Sequence, residues 1–379
     1  MEQETLQYKA FHLERRILWF YGIYSGKDFQ PSKLHYLRLL LTHFVLVTFG
    51  LILLLEIIVE HNNLEVVFQI AYHLIILVIG LIKTLSLCRT LPQFNQLEEL
   101  LRNPIFNEGT SSRCTFISEA VNSYKIFSRI FWKMVILTAG VYSFMPLIDG
   151  DVPIPVWYPR ESFKAYCQFY EILWMCVFPP AILAIDVILM GLMHLMAAQI
   201  KTLNYNLCCV TDRNPDYDVE IQEKQVQENL KICIRHHLAI SDFVSKLEEV
   251  FSVGLFLQIF CSIIAICSAG VYVVTVSLTP SLFLRLVVSM SIILLQIGMF
   301  CWVGQGLITE SDLIGESCYL SEWYTCSTAT RKIFFIIMER SKRGISFKAG
   351  NFFELSYATF VMILRSAYSY FTVIITTLK

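Results

Sequence analysis

Residues 281–303, which read SLFLRLVVSMSIILLQIGMFCWV, carry one charged side chain, Arg285, in an otherwise apolar run. A helix of about 20 apolar residues is long enough to cross the hydrocarbon core of a bilayer. Comparable stretches occur elsewhere in the chain, so the complete set is 35–56, 67–86, 129–147, 169–198, 250–278, 281–303 and 351–378. The sequence therefore predicts an all-α membrane protein with seven transmembrane helices.

The composition of the chain agrees with this prediction and excludes several other classes of protein. Its 379 residues are 55% hydrophobic and 16% charged, whereas soluble domains carry about 25% charged residues. A net charge of −1 provides no basic surface for DNA or RNA, so we expect no nucleic-acid partner. No GxSxG, P-loop or HExxH motif occurs, and the 12 cysteines lack the spacing of zinc ligands. We therefore expect no catalytic residue, no metal and no cofactor.

The distribution of Lys and Arg predicts the orientation in the membrane, because positively charged loops stay in the cytoplasm. The N-terminal segment and the connections at 87–128, 199–249 and 304–349 hold 21 of these residues, and the opposite side holds three. The N-terminus is therefore expected in the cytoplasm and the C-terminus outside the cell. This orientation strongly disfavours a G-protein-coupled receptor, whose seven helices begin outside, and leaves epitope accessibility at the two termini as the test between them.

Two of the cytoplasmic connections are expected to fold as helices and not as linkers. Apolar residues recur at helical spacing, with charged residues between them, in 220–249 and 323–340. We therefore expect a helical cytoplasmic anchor layer beneath the membrane. The predicted division of the chain is a cytoplasmic N-terminal segment at 1–34, spans 1 to 6 at 35–303 with a cytoplasmic helical extension at 199–249, an anchor helix at 304–350 and a last transmembrane helix at 351–379.

The last apolar stretch has one polar face. On a helix, most of its serine and threonine side chains fall in a sector of about 140°, and larger apolar side chains lie opposite. Such a face can pack closely against another helix or line the water of a pore, and the sequence leaves both open. One helix per chain cannot enclose a pore, so the second arrangement requires an oligomer around an axis. The candidate pore-lining residues are Ser366, Ser369, Val373, Thr376 and Thr377.

Short motifs cluster at the C-terminal end of the chain. They are 323–324 (WY), 338–341 (MERS), 352–356 (FFELS), 359–360 (TF) and 364–371 (LRSAYSYF). In this order and place they resemble the signature of insect odorant receptors, and the chain is similar to that family in length and number of spans. It looks like an odorant-tuned subunit and not like the co-receptor of the family, whose cytoplasmic loop before the fifth span is much longer.

This resemblance implies a function and partners. Members of the family are subunits of ligand-gated, non-selective cation channels, so we expect the chain to bind a small volatile molecule, aromatic or bearing an alcohol group, and to conduct cations. Assembly with the co-receptor as a heterotetramer is expected, in the plasma membrane of a sensory neuron dendrite, with the last helix lining the pore and the cytoplasmic helices joining the subunits. The constriction of the family maps onto Val373 and Thr377, and Thr377 departs from the bulky apolar residue of the co-receptor.

The ligand pocket of the family lies in the outer half of the bundle, among the second, third, fourth and sixth spans. In this chain those half-spans suit small, mostly apolar ligands, with His73 as a hydrogen-bond partner for a hydroxyl group. The candidate ligand-binding residues are Gln69, Tyr72, His73, Leu137, Gly140, Tyr142, Phe144, Trp174, Phe178, Leu286 and Met290.

Two alternative functions remain open from the sequence. A related gustatory-type channel subunit would share the topology, although such receptors usually end in a different tyrosine-containing motif. A secondary transporter would need a site near the membrane midplane, to which Asp186, Pro179 and Pro180 of the fourth span would contribute. We expect Asp186 to be a carboxylate with a structural partner, and we expect the two prolines to kink their helix.

Overall fold

The structure, a computed structural model, describes residues 6–25, 33–107, 111–149, 154, 156–157, 163–212, 218–275, 279–350 and 352–378. These residues are almost entirely helical, and seven of the helical regions are long and apolar enough to cross a membrane. The predicted architecture of seven spans is confirmed. In chain order the elements are α1 Leu6–Ala10, α2 His12–Phe20, α3 Lys33–Val59, α4 Leu64–Arg89, α5 Leu91–Arg102, α6 Pro104–Asn107, α7 Ser111–Asp149, α8 Lys164–Val177, α9 Pro179–Cys208, α10 Val219–Thr275, α11 Pro280–Leu320, α12 Thr328–Ser341, β1 Lys348–Ala349, β2 Phe353–Glu354 and α13 Tyr357–Leu378.

Several of these helices extend well beyond a bilayer. The 57 residues of α10 span about 86 Å at 1.5 Å per residue, and α11 has 41 residues. A membrane span needs only about 20. The predicted extension at 199–249 therefore has two parts, of which the first continues α9 and the second is the beginning of α10.

The fourth span is broken at its two prolines. The helix α8 ends at Val177, and α9 begins at Pro179. Pro179 and Pro180 lack the amide hydrogens that would continue the hydrogen-bond ladder of α8. At the first positions of α9 those hydrogens would have no partner within the helix, so proline is tolerated there. The expected kink is thus a break between two helices.

The helix α9 lies at the centre of the bundle. Nearly all of its side chains from Ala181 to Leu207 are buried, and it packs against α2, α7, α10 and α11. Gly191 permits the closest approach, because a Cβ placed there would lie 2.4 Å from ring carbons of both Phe11 and Tyr124. The N-terminal segment is therefore held against the central helix by aromatic packing.

A buried polar cluster also attaches the N-terminal segment to α5. Arg15 forms an ion pair with Glu98, and the Tyr24 hydroxyl donates a hydrogen bond to the second oxygen of that carboxylate. Burial, together with the Glu98 charge, raises the pKa of Tyr24 above its usual range. The hydroxyl therefore stays protonated and remains a donor. In its described part, the segment predicted at 1–34 folds against the bundle.

The last helix begins later than predicted. The strands β1 and β2 pair in an antiparallel hairpin around Gly350, whose φ is +61°, and α13 begins at Tyr357 and not at 351. The Gly350 amide donates to the Ser252 hydroxyl of α10 at 2.7 Å. At the other end, the Ser356 hydroxyl accepts from an amide of the first turn of α13 at 3.2 Å. Because strand pairing and the left-handed glycine place the preceding residues in a hairpin, the helix begins only at Tyr357.

Candidate functional site

A cavity of about 170 Å³ lies within the bundle, among α4, α7, α8, α9, α10 and α11. Most of its lining is apolar. Tyr72, His73 and Tyr142 lie at one end, and Lys83 and Gln296 lie at the other. The ten residues from His73 to Lys83 correspond to about 15 Å along α4. The cavity is therefore elongated along the bundle, with polar groups at both ends.

His73 presents an unsatisfied acceptor at the first end of the cavity. Its Nδ1 donates to the backbone carbonyl of Gln69 at 2.8 Å, so the other nitrogen of the neutral imidazole is an acceptor. That nitrogen, Nε2, is buried and has no hydrogen-bond partner among the described residues. The nearby Tyr142 hydroxyl donates to the Ser289 hydroxyl at 3.1 Å instead. A bound molecule with a donor group would satisfy His73.

A smaller cavity of about 30 Å³ adjoins this end. Tyr72, His73 and Tyr142 line both cavities, and Gln69 and Leu286 line only the smaller one. Rings of these residues meet edge to face, with centroids 5.1 Å apart for Tyr72 and His73 and 5.9 Å apart for His73 and Tyr142. These aromatic residues therefore form a wall shared by the two cavities.

An ion pair closes the opposite end. Lys83 Nζ lies 2.6 Å and 2.8 Å from the two carboxylate oxygens of Asp186, and Gln296 Nε2 donates to the same carboxylate. The three side chains come from α4, α9 and α11 and are all buried. Asp186 therefore has the structural partners that the sequence analysis expected.

Six of the candidate ligand-binding residues line one or both cavities, namely Gln69, Tyr72, His73, Tyr142, Trp174 and Leu286. Two others pack into the protein. Phe178 is buried and stacks on Trp174 with ring centroids 6.4 Å apart, and the half-buried Met290 packs against the core. These two side chains support the cavity wall without lining it.

The candidates on the third span face away from the cavity. Leu137 and Phe144 are 51% and 67% exposed, and a Cβ at Gly140 would meet no atom within 4 Å among the described residues. The face of α7 that lines the cavity consists of Val135, Thr138, Ala139 and Tyr142. Both faces of α7 carry apolar side chains at helical spacing, so periodicity does not show which of them turns inward. The structure therefore does not bring Leu137, Gly140 and Phe144 to either cavity.

The fifth span contributes residues that the sequence analysis did not propose. Gln258, Ser262 and Ala265 line the cavity from α10. The Oε1 atom of Gln258 is buried and lacks a hydrogen-bond partner in the described part of the chain. The available signal was a glutamine in an apolar span, followed at helical spacing by small residues.

The last helix uses one face to pack on its own chain. It lies against α10 and α11, and Ile363 and Ala367 are 0% and 2% exposed. Phe371 packs so closely on Gly270 of α10 that a Cβ there would lie 2.8 Å from its ring. The helix is thus anchored by its apolar side.

Most of the polar sector of α13 is exposed within the described part of the chain. Ser369, Val373 and Thr376 are exposed, and Ser366 is half-buried. The side chain of Thr377 lies outside the described residues. The Thr376 hydroxyl donates to backbone carbonyls of its own helix, so the face can pack against a neighbouring chain or line water. This geometry fits either arrangement that the sequence left open.

Residues 63–368 match the protein family described as 7tm odorant receptor. Odorant receptor 67a of Drosophila melanogaster is 27% identical over 148 residues, which are 39% of this chain and 36% of that protein. The odorant receptor coreceptor of Aedes aegypti is 24% identical over 162 residues, which are 43% of this chain and 34% of that protein. The chain thus spans little more than a third of the length of these curated relatives.

The structure is similar to that of the insect olfactory receptor OR5 from Machilis hrabei, which was solved in complex with eugenol. The TM-score is 0.86, and the match covers 98% of this chain and 97% of that one. Sequence identity is 14%. The likeness shows a shared fold.

Proposed function

This chain belongs to the odorant receptor family of insect membrane proteins with seven spans, and from that premise we propose that it is the odorant-binding subunit of a ligand-gated, non-selective cation channel. The observation that carries the proposal is the elongated cavity within the spans, which is mostly apolar and holds an unsatisfied acceptor on His73. Apolar walls with a few polar groups are typical of small-molecule sites.

The volume of the cavity indicates a ligand of about one ring. An engineered protein cavity of about 150 Å³ binds benzene, and this one measures about 170 Å³. Burying roughly 250 Å² of apolar ligand surface at about 25 cal/mol/Å² contributes about 6 kcal/mol before the costs of association. We therefore expect a small volatile molecule that binds with micromolar or weaker affinity.

The free acceptor on His73 favours an alcohol or a phenol as the ligand. A ligand hydroxyl would donate to Nε2, and the apolar wall would hold the ring or the chain. An unsatisfied buried polar atom costs about 1–3 kcal/mol. A ligand that supplies a donor should therefore bind more tightly than a hydrocarbon of the same shape.

The helix α10 provides a physical connection between the cavity and the last helix. Gln258 and Ala265 line the cavity, and Gly270 of the same helix packs on Phe371 of α13. A ligand opens a channel only by binding the open form better than the closed one. A small displacement of α10 on ligand binding would therefore reach α13 directly.

In the proposed assembly, α13 lines the pore and the co-receptor supplies the other subunits of a heterotetramer. The exposed polar sector supports this arrangement, because a pore needs such a face from each subunit. On α12, Phe335 and Ile336 are 54% and 68% exposed, which suits a subunit contact. In this arrangement 1–34, 199–249 and 304–350 lie in the cytoplasm as the anchor layer.

A secondary transporter receives less support from the site. The carboxylate of Asp186 already accepts from Lys83 and Gln296. Lys83 and Asp186 carry opposite charges and are both buried, so each charge is compensated by the other within the bundle. The carboxylate that a transport mechanism would need is therefore already bound by other side chains of the bundle.

Patch-clamp recording from cells that express this chain together with the co-receptor tests the proposed function. We expect small alcohols and phenols to evoke unitary cation currents, and we expect little current from this chain alone. Ligand uptake without discrete openings would contradict the channel. Currents that are identical with and without this chain would contradict its role as the odorant-binding subunit.

A further inference from the structure

We propose that the inner end of the cavity is a second polar subsite, formed by Gln258 and Lys83, and that the ligand of this receptor carries two hydroxyl groups. One would bind at His73 and the other at this inner subsite. The inference rests on the proposed function, because it specifies the class of molecule that the same cavity takes. That class is a small diol or a phenol with a hydroxyalkyl chain.

Gln258 provides the acceptor of the inner subsite. The side chain is 3% exposed and lines the cavity, and its Oε1 has no hydrogen-bond partner within the described ranges. A buried amide oxygen without a partner has lost its hydration and gained nothing in return. A ligand hydroxyl that donates to this oxygen removes that penalty.

Lys83 provides a donor beside this acceptor. An ammonium group has three hydrogens to donate, and the Asp186 carboxylate accepts through two oxygens, which leaves one hydrogen for the cavity that Lys83 also lines. The Lys83 stem passes Gly254 of α10, where a Cβ would lie 3.6 Å from its Cγ. Gln258 lies one turn, about 6 Å, beyond Gly254 on the same face.

A hydroxyl group is the complement of this pair, because it donates and accepts at once. It can donate to Gln258 and accept from Lys83. A carbonyl oxygen would satisfy only Lys83, and an alkyl group would satisfy neither. The inner subsite therefore selects a hydroxyl over other small polar groups.

The two subsites are too far apart for one hydroxyl to serve both. His73 lies about 15 Å from Lys83 along α4, and Gln258 lies about 6 Å back from the Lys83 level, so the subsites are separated by about 9 Å. A ring with a short hydroxyalkyl chain bridges such a distance. Trp174 Nε1, a third buried polar atom without a partner in the described chain, also lines this cavity and can donate to a ligand oxygen.

Three matched ligands test the inference on the unchanged receptor co-expressed with the co-receptor. The probe is 4-(2-hydroxyethyl)phenol. In 4-propylphenol a methyl group replaces the alkyl hydroxyl, and in 2-(4-methylphenyl)ethanol a methyl group replaces the phenolic one. We expect the half-maximal concentration of the two-hydroxyl probe to be at least about tenfold lower than that of either partner, the factor that corresponds to about 1.4 kcal/mol.

The variant Gln258→Met keeps the length of the side chain and removes its polar atoms. We expect it to reduce the advantage of the two-hydroxyl probe over 4-propylphenol to about twofold, while the response to 4-propylphenol, which has no hydroxyl group for the inner subsite, changes little. The matched control is Gln225→Met, at an exposed position of the same helix outside the cavity. We expect the control to retain the wild-type ligand order, with surface expression measured for both variants.

The outcomes separate this inference from the proposed function. Equal potency of the three ligands on the wild-type receptor, or an undiminished advantage in Gln258→Met, would overturn the two-hydroxyl inference and leave the odorant receptor function intact. The absence of current with all three ligands, at normal surface expression, would count against the proposed function and the inference together. If the Gln258→Met variant does not reach the cell surface, the ligand series on the wild-type receptor alone decides whether the two-hydroxyl inference holds.

Discussion

His73 shows how a backbone contact can determine the chemistry of a candidate ligand site. Its Nδ1 donates to the carbonyl four residues earlier in α4, so the tautomer is set by the helix itself and not by the ligand. The other nitrogen then faces a cavity as an acceptor without a partner among the described residues. In the proposed site this arrangement would discriminate between ligands, because an alcohol can satisfy the acceptor and an ether or a ketone cannot.

Replacing His73 with phenylalanine should therefore weaken alcohol responses selectively. The change keeps an aromatic ring and removes the acceptor, so we expect about a tenfold rise in the half-maximal concentration of alcohols, equivalent to about 1.4 kcal/mol. Responses to hydrocarbons of the same shape should change by less. Phe144→Leu is the control, because Phe144 is 67% exposed and outside the cavity. An equal loss for alcohols and hydrocarbons would indicate a steric role for His73.

The Lys83–Asp186 pair should contribute to stability as well as to the proposed inner subsite. Removing one partner leaves a buried charge uncompensated, which costs about 3–5 kcal/mol, so Lys83→Met should lower the melting temperature and surface expression. The double variant Lys83→Met/Asp186→Leu removes both charges and should recover most of the loss. Thermal melting of purified receptor measures both effects. A single variant as stable as the wild type would contradict a net contribution from charge pairing.

Individual site residues were predictable from sequence to different degrees. Tyr72, His73 and Trp174 were proposed because aromatic and polar groups in outer half-spans suit a ligand. The partner of Asp186 was not predicted, because Lys83 is 103 positions away and no local pattern connects the two residues. Gln258 was missed because the family resemblance pointed to other spans.

At the scale of elements, hydropathy predicts where helices lie but not which way they face. The third span illustrates this, since the candidates Leu137 and Phe144 lie on the exposed face of α7 while Tyr142 faces the cavity. The rotation of an apolar helix is determined by its neighbours, through contacts distant in sequence. The ends of a helix likewise depend on tertiary hydrogen bonds, as the hairpin before α13 shows.

Glycine in α9 provides a test of how tightly the elements pack. A Cβ at Gly191 would lie 2.4 Å from the rings of Phe11 and Tyr124, so Gly191→Ala should displace the N-terminal segment and destabilise the receptor by about 1–3 kcal/mol. Gly306→Ala is the control, because a Cβ there meets no described atom within 4 Å and alanine favours a helix by about 1 kcal/mol. Equal melting temperatures for the two variants would contradict this account of the packing.

The polar sector of α13 makes a separate prediction about permeation. Val373→Phe adds bulk at a site that is 60% exposed on the polar sector, so it should reduce unitary conductance several-fold in the co-expressed channel without shifting odorant potency. The matched change Val361→Phe lies outside the sector, at a residue that is 45% exposed. We expect the control to preserve conductance. Unchanged conductance in Val373→Phe would mean that this face packs against protein or lipid instead of water.

For the whole molecule, the number of spans follows from composition with little ambiguity, because a bilayer admits only apolar helices of sufficient length. The cavity does not follow in the same way, since it arises where six helices fail to fill the space between them. The volume, elongation and polar ends of that space depend on side chains from α4, α7, α8, α9, α10 and α11 together. Periodicity in any one helix therefore contains only part of the site.

The orientation of the whole chain is the last prediction, and both the proposed pore and the proposed anchor layer depend on it. With 21 Lys and Arg residues on one side of the spans and three on the other, a reversed insertion would carry the basic connections across the membrane. An epitope tag before Met1 should bind antibody only in permeabilised cells, and a tag after Lys379 should bind in intact cells. A cytosolic marker protein controls for membrane integrity. Reversed labelling would place 304–350 outside the cell and exclude it as a cytoplasmic contact between subunits.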